Sequence, residues 1–188
     1  MSQDRIRAFL NNSADLKRTI ADTMAETIEQ SVDLVRKSLK NGGKLLLMGN
    51  GGSAGDAQHI AAELVGRYKK ERQSVPALAL TVDTSALTAI GNDYGFEEIF
   101  SRQIEGLGRK GDVVLAISTS GLSENVTRGV QQARVMGIHT IGLLGKEGGT
   151  LKDIVDLALV VPSQETARIQ EAHITIGHII CEILDDEF

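Results

Sequence analysis

Along the first forty positions, apolar residues recur with the spacing of a helix: Ile6, Phe9 and Leu10, then Ile20, Met24 and Ile28, then Val32, Val35 and Leu39. No proline or glycine interrupts them before Gly42-Gly43, so the pattern predicts long N-terminal helices over residues 1–41. Asn11-Asn12-Ser13 predicts a break into two helices, with Ser13 as a cap. A stripe this long, placed ahead of the first strand, packs either on its own domain or on another subunit.

Strands and helices then alternate. Residues 44–48 read as a buried strand and 53–68 as a helix. Residues 77–82 form a second strand after Pro76, followed by short helical pieces through Leu107. Strands over 112–118, 138–144 and 156–161 enclose a helix at 123–136, and a helix at 164–184 closes the chain. The pattern is α/β: a three-layer, doubly wound sandwich whose five-stranded parallel sheet is covered on both faces. Ligands of such open sheets bind outside the carboxyl ends of the strands. With 188 residues and no linker, low-complexity tract or repeat, the chain reads as a single domain spanning 1–188.

Composition narrows the partners. A net charge of -5, no tryptophan and 3% aromatic residues give nucleic acid neither an electrostatic footprint nor a stacking platform. No apolar run approaches the roughly 20 residues that span a bilayer. The N-terminal MSQDRIRAFL lacks the apolar core of an export signal. Cys181, the single cysteine, excludes an internal disulfide and suits a reducing compartment. A cytoplasmic protein is expected.

Two short runs carry the first chemical signal. MGNGGSA at 48–54 and ISTSGLS at 117–123 each follow a strand and open a helix. Glycine lets the backbone approach an anion, helix-start N–H groups donate to it, and hydroxyls add donors. Neither run has the lysine of a nucleotide triphosphate loop, which points to a small phosphorylated ligand. The first run also fits the loose dinucleotide fingerprint, but Asp83, the acidic candidate, lies about thirty residues on rather than about twenty. Ser118, Thr119, Ser120 and Ser123 supply four hydroxyls around Gly121, more than one helix cap uses.

The helix after the first run carries His59 and Glu63, spaced i, i+4 on one face. The last helix carries Gln170 and His178, eight apart and about a quarter turn from each other. Its stripe of Ile169, Ala172, Ile176, Ile179, Ile180 and Ile183 is expected to face the sheet, and Gln170, Ile174 and Cys181 to lie on a different face, against another helix or subunit. A glutamate and a histidine across a substrate make a base–acid pair. Two histidines, a glutamate and a glutamine oxygen could instead hold a divalent metal, although glutamine is an uncommon zinc ligand. Asn92-Asp93, in IGNDYGF, reads as a turn or as a hydrogen-bonding pair for sugar hydroxyls. Glu171 and His173 read as solvated or supporting residues.

GNGGSAGDAQHIAAELVGRY, GNDYGFEEIFSRQ, GDVVLAISTSGLSENV and ARIQEAHITIGHIICEILD, in this order, closely resemble the bacterial phosphoheptose isomerases of the sugar-isomerase (SIS) fold. The resemblance runs from the N-terminal helices to the C-terminus. It implies conversion of sedoheptulose 7-phosphate to D-glycero-D-manno-heptose 7-phosphate by a homotetramer with interfacial sites. It places Glu63 as general base and His178 as general acid, and matches His59, Glu63, Gln170 and His178 to a zinc-binding set. It also matches Asn50, Gly51, Gly52, Asn92, Asp93, Ser118, Thr119, Ser120 and Ser123 to substrate contacts, with Ser53 as a further donor. Ala167 stands where some members have an aspartate. A paralogous branch that binds the bacterial replication initiator lacks the Glu63 carboxylate and the His178 imidazole, and both are present here. A regulatory sugar-phosphate-binding domain would come attached to a DNA-binding module, while an isomerase of another sugar phosphate is not separated by motif.

Overall fold

A computed structural model describes residues 2–188. Helix α1, Gln3–Lys40, is continuous, so the expected break at 11–13 is absent. The break signal is local, whereas the helix is held by tertiary contacts: the Ser13 hydroxyl donates to Glu171 Oε2 (2.7 Å) in the last helix instead of capping. Ile20, Met24, Ile28, Val32, Val35 and Leu39 are buried, while Ile6, Phe9 and Leu10 are exposed.

The alternating elements follow: β1 (Leu45–Gly49), α2 (Gly52–Val65), β2 (Ala77–Ala79), α3 (Thr84–Asp93), a 3-10 turn (Phe96–Glu98), α4 (Ser101–Leu107), β3 (Val113–Ser118), α5 (Glu124–Val135), β4 (His139–Gly145), a second 3-10 turn (Thr150–Asp153), β5 (Leu157–Val161) and α6 (Thr166–Asp185). The five strands are parallel in the order β2-β1-β3-β4-β5. Apolar residues on both strand faces make this a three-layer sandwich. Leu45 and Leu47 join the core under α1, α2 and α6, and Leu46 and Met48 join the core under α4 and α5.

β2 is shorter than expected because it is an edge strand paired with β1 over three residues, after which the chain turns into α3. Asp83 caps that helix, its carboxylate accepting from Ala86 N (2.9 Å), which removes it as the acidic partner of a dinucleotide site. In α6, Ile169, Ala172, Ile176 and Ile180 are buried as expected, but Ile179 and Ile183 are 37% and 36% exposed. They line a groove of about 300 Å³ with Ile20 and Ile28 of α1. Cys181 is buried against Ile60 of α2, so α6 is wedged between two helices and buries two faces. His173 is not solvated: it is fully buried, one ring nitrogen 2.9 Å from the Leu144 carbonyl, and burial brings its pKa down to about 4.

Candidate active site

α2 and α6 lie side by side and run in the same direction. Near their starts Gln170 covers Gly52, and at mid-length Gly177 faces Ile60. A Cβ on Gly177 would stand 2.5 Å from the Ile60 side chain, so the missing side chain is what lets the helices approach. That closeness brings three polar groups together. His59 Nε2 is 2.9 Å from His178 Nε2 and 3.2 Å from Glu63 Oε1. The imidazoles meet edge to face with centroids 5.0 Å apart, and the Tyr68 ring lies 5.9 Å from that of His178.

These separations suit a cation. Ligand bonds of about 2.0–2.1 Å in tetrahedral geometry set neighbouring donor atoms about 3.3 Å apart. The His59, Glu63 and His178 donor atoms all lie within 4.8 Å of one another. Half of the His59 side chain and a quarter of that of Glu63 remain exposed, so the group opens to solvent. Gln170 is placed elsewhere: its amide bears on Gly52, and its backbone is about 12 Å along α6 from His178.

Asp56 lies one turn before His59. Burial raises its pKa, with His59 offsetting part of the effect, and one carboxylate oxygen is buried without a hydrogen-bond partner. Burial foremost, with Glu63 adding to it, pushes the Cys181 thiol up to about 12, so it is no nucleophile.

The two Gly/Ser runs stand at the carboxyl ends of β1 and β3, adjacent strands at the point where the strand order reverses. The serines of the second run shape the loop. Ser118 Oγ accepts from Gly121 N (3.1 Å) and lies 3.2 Å from Ser123 Oγ, and Ser120 Oγ accepts from Leu122 N (3.2 Å). Ser123 occupies the N-cap position of α5 without capping through its side chain, and the first N–H groups of a helix have no intrahelical partners. Thr119 is half-buried in the same loop.

Asn50 and Asn125 exchange two amide hydrogen bonds (2.8 and 2.9 Å), tying the first run to the start of α5. Beside them opens a cleft of about 410 Å³, walled by Asn50, Phe96, Glu97, Ser123, Asn125 and Arg128 among others. Arg128 is shared with Glu98 and Glu124. The Ser101 hydroxyl, then Arg128, hold Glu98 below its usual range. Gly51 is exposed and Ser53 buried at the start of α2.

Asn92 and Asp93 do not form a turn. They are the exposed last residues of α3, bonded to each other (2.8 Å) and outside the walls of that cleft. Asn125 and Asp56 are the residues that sequence reasoning misses. Each sits one helical turn or less from a residue it does single out, which is too common an arrangement to carry a signal.

A family model described as "SIS domain" matches residues 8–145. Among curated relatives, a phosphoheptose isomerase of Nitratiruptor sp. is 66% identical over 152 residues, covering 81% of each chain. One of Aquifex aeolicus is 51% identical over 183 residues, covering 97% of this chain and 96% of its own. The solved phosphoheptose isomerase of Neisseria gonorrhoeae superposes with a TM-score of 0.93 at 45% identity, covering 98% of both chains. That of Francisella tularensis gives 0.96 at 39% identity, over the whole of both.

Proposed function

The chain belongs to the phosphoheptose isomerases of the SIS-domain family, and from that premise we propose that it interconverts sedoheptulose 7-phosphate and D-glycero-D-manno-heptose 7-phosphate. One observation carries the chemistry: His59 of α2 stands 2.9 Å from His178 of α6 and 3.2 Å from Glu63, and all three donor atoms lie within 4.8 Å of one another, a carboxylate base and an imidazole acid around one small space. Glu63 takes the proton from the first carbon of the ketose and returns it to the second, through an enediolate. His178 donates a proton to the carbonyl oxygen of the second carbon as negative charge grows there and recovers one from the first-carbon hydroxyl as the aldehyde forms. His59, Glu63 and His178 would hold a zinc ion that, when bound, supplies further stabilisation of that charge, while Gln170, which lies against Gly52, is not brought to them.

Ser118, Thr119, Ser120 and Ser123, with the N–H groups at the start of α5, grip the phosphate. Binding energy spent there positions the reacting carbons. Asn50, Gly51, Gly52 and Ser53 wall the sugar. The test is direct: incubation with sedoheptulose 7-phosphate, followed by NMR. Signals of the heptose aldose phosphate are expected, and their absence overturns the assignment. Prior chelation is expected to lower the rate at least about tenfold, with zinc restoring it; full activity of metal-free protein removes the metal from the reaction.

The chain is one SIS domain, and its residues 1–41 pack in a homotetramer. The exposed apolar groove between α1 and α6, with Ile179 and Ile183 on its rim, supports this reading. The trio rests on the α2–α6 side of the sheet and the cleft on the α5 side, as suits sites completed between copies. Light scattering should give a mass near four chains; a fully active monomer contradicts the interfacial site. No helix of the described residues is long and apolar enough to cross a membrane. A cytoplasmic enzyme supplying heptose units for lipopolysaccharide is the setting that fits.

A further inference from the structure

The loop after α2 folds back over the last turn of α6 around a buried ion pair. Arg72 and Asp185 are 113 residues apart, and each side chain is only 3% exposed. Arg72 Nε donates to Asp185 Oδ1 (2.7 Å), and Asp185 Oδ2 accepts from the backbone N–H groups of Lys69 (3.0 Å) and Lys70 (2.7 Å). Burial alone raises the Asp185 carboxyl, but these donors outweigh it and hold the group below its usual range. The rest of the guanidinium is spent on the end of α2 and on its own loop. Nη2 donates to the carbonyl of Glu63 (2.9 Å), and Nη1 to those of Leu64 and Gln73 (both 2.9 Å).

The carbonyls of a helix's last turn have no partners within the helix, and a cation there also favours the helix dipole. Arginine or lysine often fills this role at a surface, where a mobile side chain fixes little. Here the donor is a rigid fork, dry, and anchored to another helix. A buried ion pair adds little net stability over apolar packing, since desolvation offsets attraction. What it does supply is a fixed geometry, and the atoms it fixes are informative. One of the carbonyls held is that of Glu63 itself, and the carboxylate that anchors the fork lies seven residues beyond His178 on the same helix.

Resting on the isomerase reading of Glu63 and His178, we propose that Arg72 and Asp185 are positioning residues: the pair locks the end of α2 to the end of α6 and thereby sets the base against the acid. Neither touches the reacting groups. The phosphate grip, between β3 and α5, is independent of the pair.

The test uses the full-length protein with Arg72→Lys, which keeps the charge but cannot reach Asp185 and both carbonyls together, and Asp185→Asn, which keeps the shape. Rates are referred to the folded fraction measured by circular dichroism. The expected result is a kcat about 10- to 100-fold lower, because displacement by about 1 Å costs up to about a hundredfold. KM for the sugar phosphate and Ki for inorganic phosphate should stay within twofold. A merely structural role would instead lower the melting temperature and leave kcat per folded molecule unchanged, and that overturns the proposal. So does a matched change in kcat and Ki, or a variant that folds at no temperature, since the pair would then be a requirement of the fold.

Histidine-labelled NMR gives a readout free of activity. The ring contact between His59 and His178 should weaken in Arg72→Lys. If the wild-type protein does not isomerise the heptose phosphate but that contact still depends on Arg72, the isomerase reading fails and the geometric lock stands. If the wild type is active and both kcat and the contact survive the substitution, the lock alone fails.

Discussion

Glu63→Gln should lower kcat by about 10³-fold or more, while Ki for inorganic phosphate changes less than about twofold. General-base removal typically forfeits about 10²–10⁴-fold, and the upper part of that range applies because glutamine has no carboxylate to receive a proton. The substitution preserves shape. The Glu63 side chain is a quarter exposed and makes one close contact, to His59 at 3.2 Å, so the fold has little to lose. Its main chain is held by Arg72 whichever side chain it bears. The phosphate loop lies on other elements, which is why ligand affinity and turnover should separate.

The decisive measurement is kcat together with exchange of the substrate's first-carbon proton into deuterated water. Both should vanish together in the variant. A kcat within tenfold of wild type would place the base elsewhere. Loss of turnover with proton exchange retained would make Glu63 a participant only after the proton has left.

The parts of this site that the sequence exposes are those built from neighbours along the chain. LLLMG and VVLAIS announce central strands because both faces are apolar, and the runs after them must open at the ligand-binding edge of the sheet. His59 and Glu63 are legible as a pair because i, i+4 spacing fixes their mutual approach. What stays hidden depends on contacts between distant segments. Gln170 and His178 look equivalent on a helical projection, but only His178 reaches the pair, because Gly177 brings α6 onto Ile60 at that level.

Ser13 reads as a helix cap until Glu171, 158 residues away, takes its hydroxyl. His173 reads as a polar residue on a helix, yet it is fully buried, bonded to the Leu144 carbonyl on β4. Ile179 and Ile183 fit the core stripe by period. A helix wedged between two others has more apolar perimeter than one sheet can cover. Periodicity reports that a residue is apolar enough to bury; which neighbour buries it is decided in three dimensions.

Gly121→Ala should be the most damaging single-methyl change in the molecule. Gly121 has φ +67, a conformation that costs an L-residue about 1–3 kcal/mol. Its added Cβ would stand 1.9 Å from the Gly148 carbonyl oxygen and 2.8 Å from Gly149 N. Those are backbone atoms, so no side chain can swing away to make room. Gly149, at φ +53, faces the same constraint from the other side, since a Cβ there would meet the Gly121 oxygen at 2.4 Å. The two loops are therefore stacked backbone on backbone. They are tied by Leu151 N donating to the Gly121 carbonyl (3.1 Å), while Ser118 Oγ holds Gly121 N from within the loop.

Strain plus overpacking amounts to about 3–5 kcal/mol, or a melting temperature lower by about 10 °C for a domain of this size. The loop can escape only by lifting off the β4–β5 connection, which breaks the Ser118–Gly121 turn. Affinity for inorganic phosphate should then fall at least about tenfold, even in the fraction that stays folded. Gly55→Ala is the control: the same methyl, placed in α2 with no atom within 4 Å, should be neutral or stabilise by up to about 1 kcal/mol. Calorimetry and phosphate titration of both variants decide the matter. A Gly121→Ala protein that melts within 2 °C of wild type and binds phosphate as well would show that the Ser118–Ser123 hydroxyls do not depend on this stacked geometry to hold the anion.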